Sequence, residues 1–263
     1  MHQRITFAAA LAAMLAIVGC EKSPIAWNDP VVIAQPDGAT RLVVDSAGRA
    51  AFTVDSLRPV SSPDGANLCK TSLTTRQALT RLFAAWWSVR PDSSAGLYVA
   101  ASPDSGKTWG PPLAVDTTDV SSAGCTRPPP SVATVGDDVY VAYSMVAPEG
   151  KGVFFAHTMG PMLHSPVPVI YGERLVSTAI AADADRVLVA YEEPNGTRPQ
   201  IDLALSSTQG HIFEVHGVVS RGVDNATLPA VAFDGATLAV SWLEKRPGND
   251  TTNARVVRVG RMQ

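Results

Sequence analysis

Three stretches of this 263-residue chain share one wording, and that repetition constrains the fold more than any other feature. Pro130 to Tyr143, Thr178 to Tyr191 and Leu228 to Trp242 each run an apolar segment into a Gly/Asp turn. Each then leaves through an alternating segment that ends in an aromatic. An earlier copy, Arg41 to Val54, keeps the turn but lacks the terminal aromatic. Alternation with period two reads as a half-buried strand, and Asp and Gly accept the dihedrals of a tight hairpin, so each copy predicts two antiparallel strands. A third apolar run follows at Gly152 to Ala156, Ile201 to Leu205 and Ala254 to Val259, and a fourth at Val167 to Ile170 and Phe213 to Val215.

Four strands per unit is the plan of a propeller blade. The aromatic landmarks Tyr143, Tyr191 and Trp242 stand 48 and then 51 residues apart. The 244 residues from Cys20 onward therefore hold five such units, a count good to one, so six stays open. The expected fold is an all-β propeller of about five four-stranded blades. Its last blade is closed by an N-terminal strand, Val31 to Ala34, pairing with Arg255 to Val259, because a closed ring leaves no open sheet edge. Arg76 to Trp87 also fits helical spacing, but the third-strand run Gly96 to Ser102 behind it matches the other units, so it is read as strand. Asp55 to Thr75 holds no clean strand and is either a decayed half-blade or a long surface loop.

Composition sets the class. With 46% hydrophobic and 17% charged residues the chain is globular, and a net charge of −3 excludes a nucleic-acid partner, which requires a basic face. Residues 1–19 have a basic start at Arg4, an apolar run and a small-residue end, the form of a secretory signal peptide too short to span a bilayer. Ile17-Val18-Gly19-Cys20 resembles the lipobox of bacterial lipoproteins. That resemblance makes Cys20 the lipidated N-terminus, 20–30 the tether, 31–263 the propeller, and the periplasmic side of an envelope membrane its location. In that oxidising space Cys69 and Cys125 remain as an even pair and are expected to form a disulfide, worth about 4 kcal/mol by loop closure. Two cysteines without a CxxC pair predict no metal, and His157, His164, His211 and His216 are not spaced as ligands on one strand. No cofactor fingerprint occurs.

One motif carries family specificity. Ser102, Asp104, Gly106, Thr108 and Trp109 fill the pattern SxDxGxTW, and Ser206, Gly210 and Phe213 repeat it with Thr208 in place of the Asp. The pattern is similar to the Asp-box of sialidases and other BNR-repeat propellers. The resemblance implies a sialidase-like propeller, with the box as a structural turn between third and fourth strands rather than a catalytic device. Sialidases hold a substrate carboxylate with three arginines and use a Tyr–Glu nucleophile and an Asp acid/base. Here the nearest match to the family's first arginine is Arg58, displaced relative to Pro59, and the turn pair Tyr171 and Glu173 is the one Tyr–Glu candidate. Two functional classes follow. The favoured one is a non-enzymatic, lipid-anchored module that docks on a membrane-protein complex or assembly partner. The alternative is a sialidase-type hydrolase or glycan-binding protein. Three arginines with an acid and a Tyr in one mouth would favour the alternative, and an apolar face would favour docking. The apolar, turn-like run Met159 to Leu163 is read as a buried loop, with an exposed contact patch as the alternative.

Overall fold

The structure, a computed structural model, describes residues 24–54, 61–63, 67–223, 225–246 and 249–263. The leader with Cys20, and Arg58, lie outside them. The described chain is all-β, with two short 3-10 turns, Lys70–Ser72 and Gly124–Thr126, and no α-helix among the described residues. No helix there is long and apolar enough to cross a membrane.

Five sheets are present among the described residues. The N-terminal segment contributes β1 (Ile25–Trp27) and β2 (Val31–Val32), which belong to the last sheet. The first sheet is the hairpin β3 (Ala39–Val44) and β4 (Ala50–Val54). The second comprises β5 (Thr74–Gln77), β6 (Leu82–Val89), β7 (Ala95–Ser102) and β8 (Leu113–Asp116) in chain order. The third holds β9 (Ser131–Val135), β10 (Asp138–Ala147) and β11 (Gly150–Met159), with β12 (Met162–Leu163) and β13 (Val167–Tyr171) both paired to β11. The fourth runs β14 (Thr178–Ala182), β15 (Val187–Glu192), β16 (Ile201–Ser206) and β17 (Glu214–Val218). The last is β18 (Thr227–Asp234), β19 (Thr237–Arg246) and β20 (Asn249–Met262), completed by β1 and β2.

The repeat explains the packing. Tyr143, Tyr191 and Trp242 are each no more than 1% exposed, and each lies on its sheet's second strand in the apolar cluster shared with the preceding sheet. One landmark per unit therefore locks one inter-sheet interface, and truncating such a side chain to Ala costs about 3–5 kcal/mol. Trp86, 1% exposed, packs instead within the second sheet and its adjoining loops, against Ala84, Ala100, Tyr98 and Trp109. The segment Arg76 to Trp87 is extended, as expected, although it is a hairpin rather than one strand: β5 turns at Ala78 to Arg81 into β6.

The N-terminal strands complete the last sheet. Val31 and Val32 pair with Val257 and Val256. Ile25 to Trp27, which the sequence reading leaves in the tether, also pair with β20, opposite Met262 to Gly260. Three residues just after Pro24 are too short a run to read as a strand, yet Ile25 is 2% exposed and joins the core around Trp242. A Cβ at Gly260 would lie 2.7 Å from Ile25 and Trp27, so glycine permits this approach.

Cys69 and Cys125 are joined by a disulfide with Cα atoms 5.5 Å apart. Next to it, Arg127 and Asp119 form an ion pair at 2.7 Å, both side chains 1% exposed. Asp119 also accepts the backbone N–H groups of Ala95 and Val146, and Arg127 donates to the carbonyls of Gly124 and Ser93 while lying over the Trp87 ring. Every charge is thus satisfied, and the connection between the second and third sheets is fixed.

Candidate functional site in the central channel

Each sheet's first strand lies innermost. Residues of β3, β5, β9, β14 and β18 together line two cavities, of about 470 and 320 Å3, that share Arg41, Leu42, Arg76 and Val231. The larger is formed where the inner strands begin. Thr40, Thr74, Thr75, Ser131 and Thr178 supply hydroxyls there, Pro129, Pro130 and Pro229 form the rim, and Arg41 and Arg76 are its charged lining residues. Part of this hydroxyl set is already oriented. Thr74 donates to the Pro130 carbonyl at 2.9 Å, and the Ser131 and Thr178 hydroxyls lie 3.1 Å apart. The smaller cavity lies toward the hairpin turns and includes Gln77, Thr134 and Asp234.

Inner strands are not expected to carry arginine when they face only neighbouring sheets, since a buried cation is costly. Their alternation instead turns Arg41 and Arg76 to a polar channel. Arg58, the nearest match to the family's arginine-proline motif, lies outside the described residues. The arginines that line the mouth stand within the repeat units themselves.

A second concavity, about 580 Å3, lies on the rim at the same end. Tyr171, 45% exposed, and Glu173 line it with Glu149, Lys151 and Asn195. Lys151 donates to the Glu173 carbonyl at 3.1 Å, and the Asn195 amide to the Tyr171 carbonyl at 3.3 Å. The Tyr–Glu candidate is thus brought to one groove, but outside the channel lined by the arginines.

Other ionisable groups are displaced from their ordinary range. Burial raises Asp202 to about 6, with nearby Glu193 adding to it, and its Oδ1 has no hydrogen-bond partner. Tyr191 is raised by burial and by Asp202, and Tyr143 by burial and by Asp116, whose carboxylate accepts its hydroxyl at 2.8 Å. His157 is lowered to about 4, chiefly by burial.

The Asp-box lies at the far end. Strands β5 and β7 run in the same direction, so the turn after Ser102 sits with the turn after Gln77, opposite the mouth. Asp104 accepts the Thr108 N–H at 2.8 Å and the Thr108 hydroxyl at 2.7 Å, while the Ser102 hydroxyl accepts the Gly106 N–H at 2.7 Å. These bonds, that from the Thr108 backbone first, hold Asp104 at about 2. Trp109 is only partly buried; it packs beside Trp86 and donates its indole N–H to the Ser61 carbonyl at 2.9 Å. In the second box, Ser206 accepts the Gly210 N–H and Thr208 accepts the Ile212 N–H, both at 2.9 Å. Phe213 packs edge-on against Phe155.

Two expectations are corrected here. Of the histidines not spaced as ligands on one strand, three, His157, His164 and His211, nonetheless bring their ring nitrogens within 4.8 Å of one another, because β11, the segment after β12, and the second box converge from two sheets. His216 is not among them. Met159 and Met162 are 41% and 64% exposed because the turn projects at a sheet end, so the buried-loop reading gives way to its exposed alternative.

No protein-family model matches the chain, and no curated protein matches it. Among solved structures it is similar to the Hadza microbial sialidase Hz136, at 12% identity and a TM-score of 0.47, over 70% of this chain and 45% of that one. It is also similar to a Trypanosoma rangeli sialidase mutant with trans-sialidase activity, at 14% and 0.49 over 82% and 39%. A thermostable family-43 glycoside hydrolase matches at 11% and 0.46 over 90% and 89%. The chain thus spans less than half the length of those two sialidases. What is shared is the fold, a sialidase-like β-propeller. The expectation that the chain is not an enzyme is withdrawn, since the matched structures are two sialidases and a family-43 glycoside hydrolase.

Proposed function

We propose that this chain is a carbohydrate-directed propeller protein of the sialidase type that takes an acidic sugar at the mouth of its central channel. The observation that supports the reading is the placement of Arg41 and Arg76 on two inner strands lining one hydroxyl-rich cavity. Guanidinium groups match a carboxylate bidentately, and threonine and serine hydroxyls both donate to and accept from sugar hydroxyls. A volume of about 470 Å3 lies inside the roughly 300–1,000 Å3 range of small-molecule sites and suits one monosaccharide unit. The rim groove at Tyr171 lies at the same end, where the rest of a longer glycan would run. Lipid on Cys20 would hold the domain on the periplasmic side of an envelope membrane. Cys20→Ser should therefore abolish incorporation of a labelled fatty acid, and a labelled variant would refute the anchor.

Saturation-transfer NMR with N-acetylneuraminic acid and with a neutral hexose tests the sugar reading. The acidic sugar should bind, the neutral one should bind more weakly, and Arg41→Ala or Arg76→Ala should remove the difference. Equal binding of both sugars, or no loss in either variant, would refute it.

A further inference from the structure

At the end of the molecule opposite the channel mouth, the segment His157-Thr158-Met159-Gly160-Pro161-Met162-Leu163-His164 reads the same from either direction in its His and Met positions. The structure makes this symmetry physical. Met159 pairs with Met162 across the hairpin of β11 and β12, and the His164 N–H donates to the His157 carbonyl at 3.0 Å, so the two histidines also stand opposite each other. Residues directly opposite, and residues two apart on one strand, share a face of a ladder. Two imidazoles and two thioethers therefore project from one face.

The neighbouring sheet completes the set. His211, in the second box, stands edge-on to both His157 and His164, with ring centroids 5.6 and 5.5 Å apart. Its Nδ1 is 2.7 Å from the Thr208 carbonyl, which fixes that nitrogen as the donor and leaves the lone pair on Nε2. A second partner of this kind is what orients metal-bound histidines. His157 is 2% exposed, and neither of its ring nitrogens has a hydrogen-bond partner. A buried imidazole without a partner is costly, and a ligand to its nitrogen would remove that cost.

We propose that His157, His164 and His211 form a copper site, with Met159 and Met162 as thioether ligands at its exposed mouth. Imidazole alone suits zinc, copper or nickel, but copper heads the first-row affinity order and thioethers select Cu(I), so the paired methionines decide the metal. A metal held by imidazole nitrogens at about 2.0–2.1 Å needs them within about 3.5 Å of each other. Rotation of the His164 side chain, which is not buried, toward His211, which keeps its bond to Thr208, closes the present 4.8 Å spread and breaks the 4.6 Å stack of His164 on His157.

Anaerobic titration of the full chain with Cu(I) against a chromogenic bicinchoninate competitor tests the site. One Cu(I) per chain should be retained, and His164→Gln and His211→Gln should each weaken binding by at least about 100-fold, beyond the 10–100-fold typical of outer-sphere changes. Unchanged thermal unfolding of the metal-free variants would show that loss of binding is not loss of fold. X-ray absorption should show sulfur beside copper in the wild type and none in a Met159→Leu, Met162→Leu double variant. Complete capture of Cu(I) by the competitor, wild-type affinity in both histidine variants, or occupation by Zn(II) with Cu(I) excluded would overturn the proposal. A sulfur signal unchanged in the methionine variant would overturn the thioether assignment.

Discussion

The two boxes occupy the same place in their units and reach the same backbone shape with different chemistry. Ser105 and Gly106 take φ values of 59° and 85°, and Gln209 and Gly210 take 56° and 93°. In both, the first serine hydroxyl accepts the glycine N–H. In the first box a carboxylate accepts the N–H four residues on, and in the second a threonine hydroxyl does so at nearly the same distance. The comparison teaches that the serine and glycine define the turn, whereas the acceptor between them is replaceable. It also separates a structural position from a free one. Lys107 in the first box is exposed, while His211 in the second is turned toward His157 and His164.

The largest expected effect is at Gly210. Its positive φ excludes other residues, and a Cβ there would overlap the Phe155 ring. Gly210→Ala should cost about 3 kcal/mol or more in denaturant unfolding, from backbone strain together with overpacking. A near-neutral result would break the claim that glycine defines the turn. Next comes Trp109, partly buried beside Trp86 and bonded to Ser61. Trp109→Ala should cost about 2–3 kcal/mol, below the range for fully buried aromatics, and a loss under 1 kcal/mol would mean the box does not clamp the Ser61 segment.

Asp104→Thr imports the second box's acceptor into the first and should lower the melting temperature less than Trp109→Ala does. The pH dependence gives its sign. Asp104 is lowered from 3.8 to about 2, so its contribution is fully present above about pH 4 and is lost as pH falls through about 2. Wild type and variant should therefore differ at pH 6 and converge near pH 2. A difference that grew on acidification would contradict the hydrogen-bond account. The smallest effect belongs to Thr208→Asp, which restores the carboxylate at an exposed turn and should change stability by no more than about 0.5 kcal/mol.

Asp202 offers a contrasting sign. Its value is raised to about 6 by burial, so the folded state loses stability as pH rises from about 4 through about 6. Asp202→Asn should raise the melting temperature at pH 7.5 more than at pH 4, as scanning calorimetry can show, and an equal shift at both would refute the burial penalty.

The repeats were legible because period-two alternation and Asp/Gly turns are local signals, and Tyr143, Tyr191 and Trp242 mark the interfaces they occupy. Ile25 to Trp27 was not, since three residues carry no period and their strand character comes from β20. The histidine cluster was invisible to spacing on one strand because His211 arrives from another sheet. The palindrome from His157 to His164 was nonetheless readable as a hairpin with like residues on one face. Arg41 was passed over inside a copy of the repeat, and Arg76 inside a segment weighed for helix against strand, because the family motif directs attention to Arg58 instead.

The central claim is that an acidic sugar sits at the end of the channel where the five inner strands begin. A crystal structure of the chain soaked with N-acetylneuraminic acid tests it most directly. The account predicts the sugar carboxylate between Arg41 and Arg76, with its hydroxyls toward Thr75 and Thr178. Sugar bound elsewhere on the molecule, or a channel mouth holding only water at saturating sugar, would contradict it.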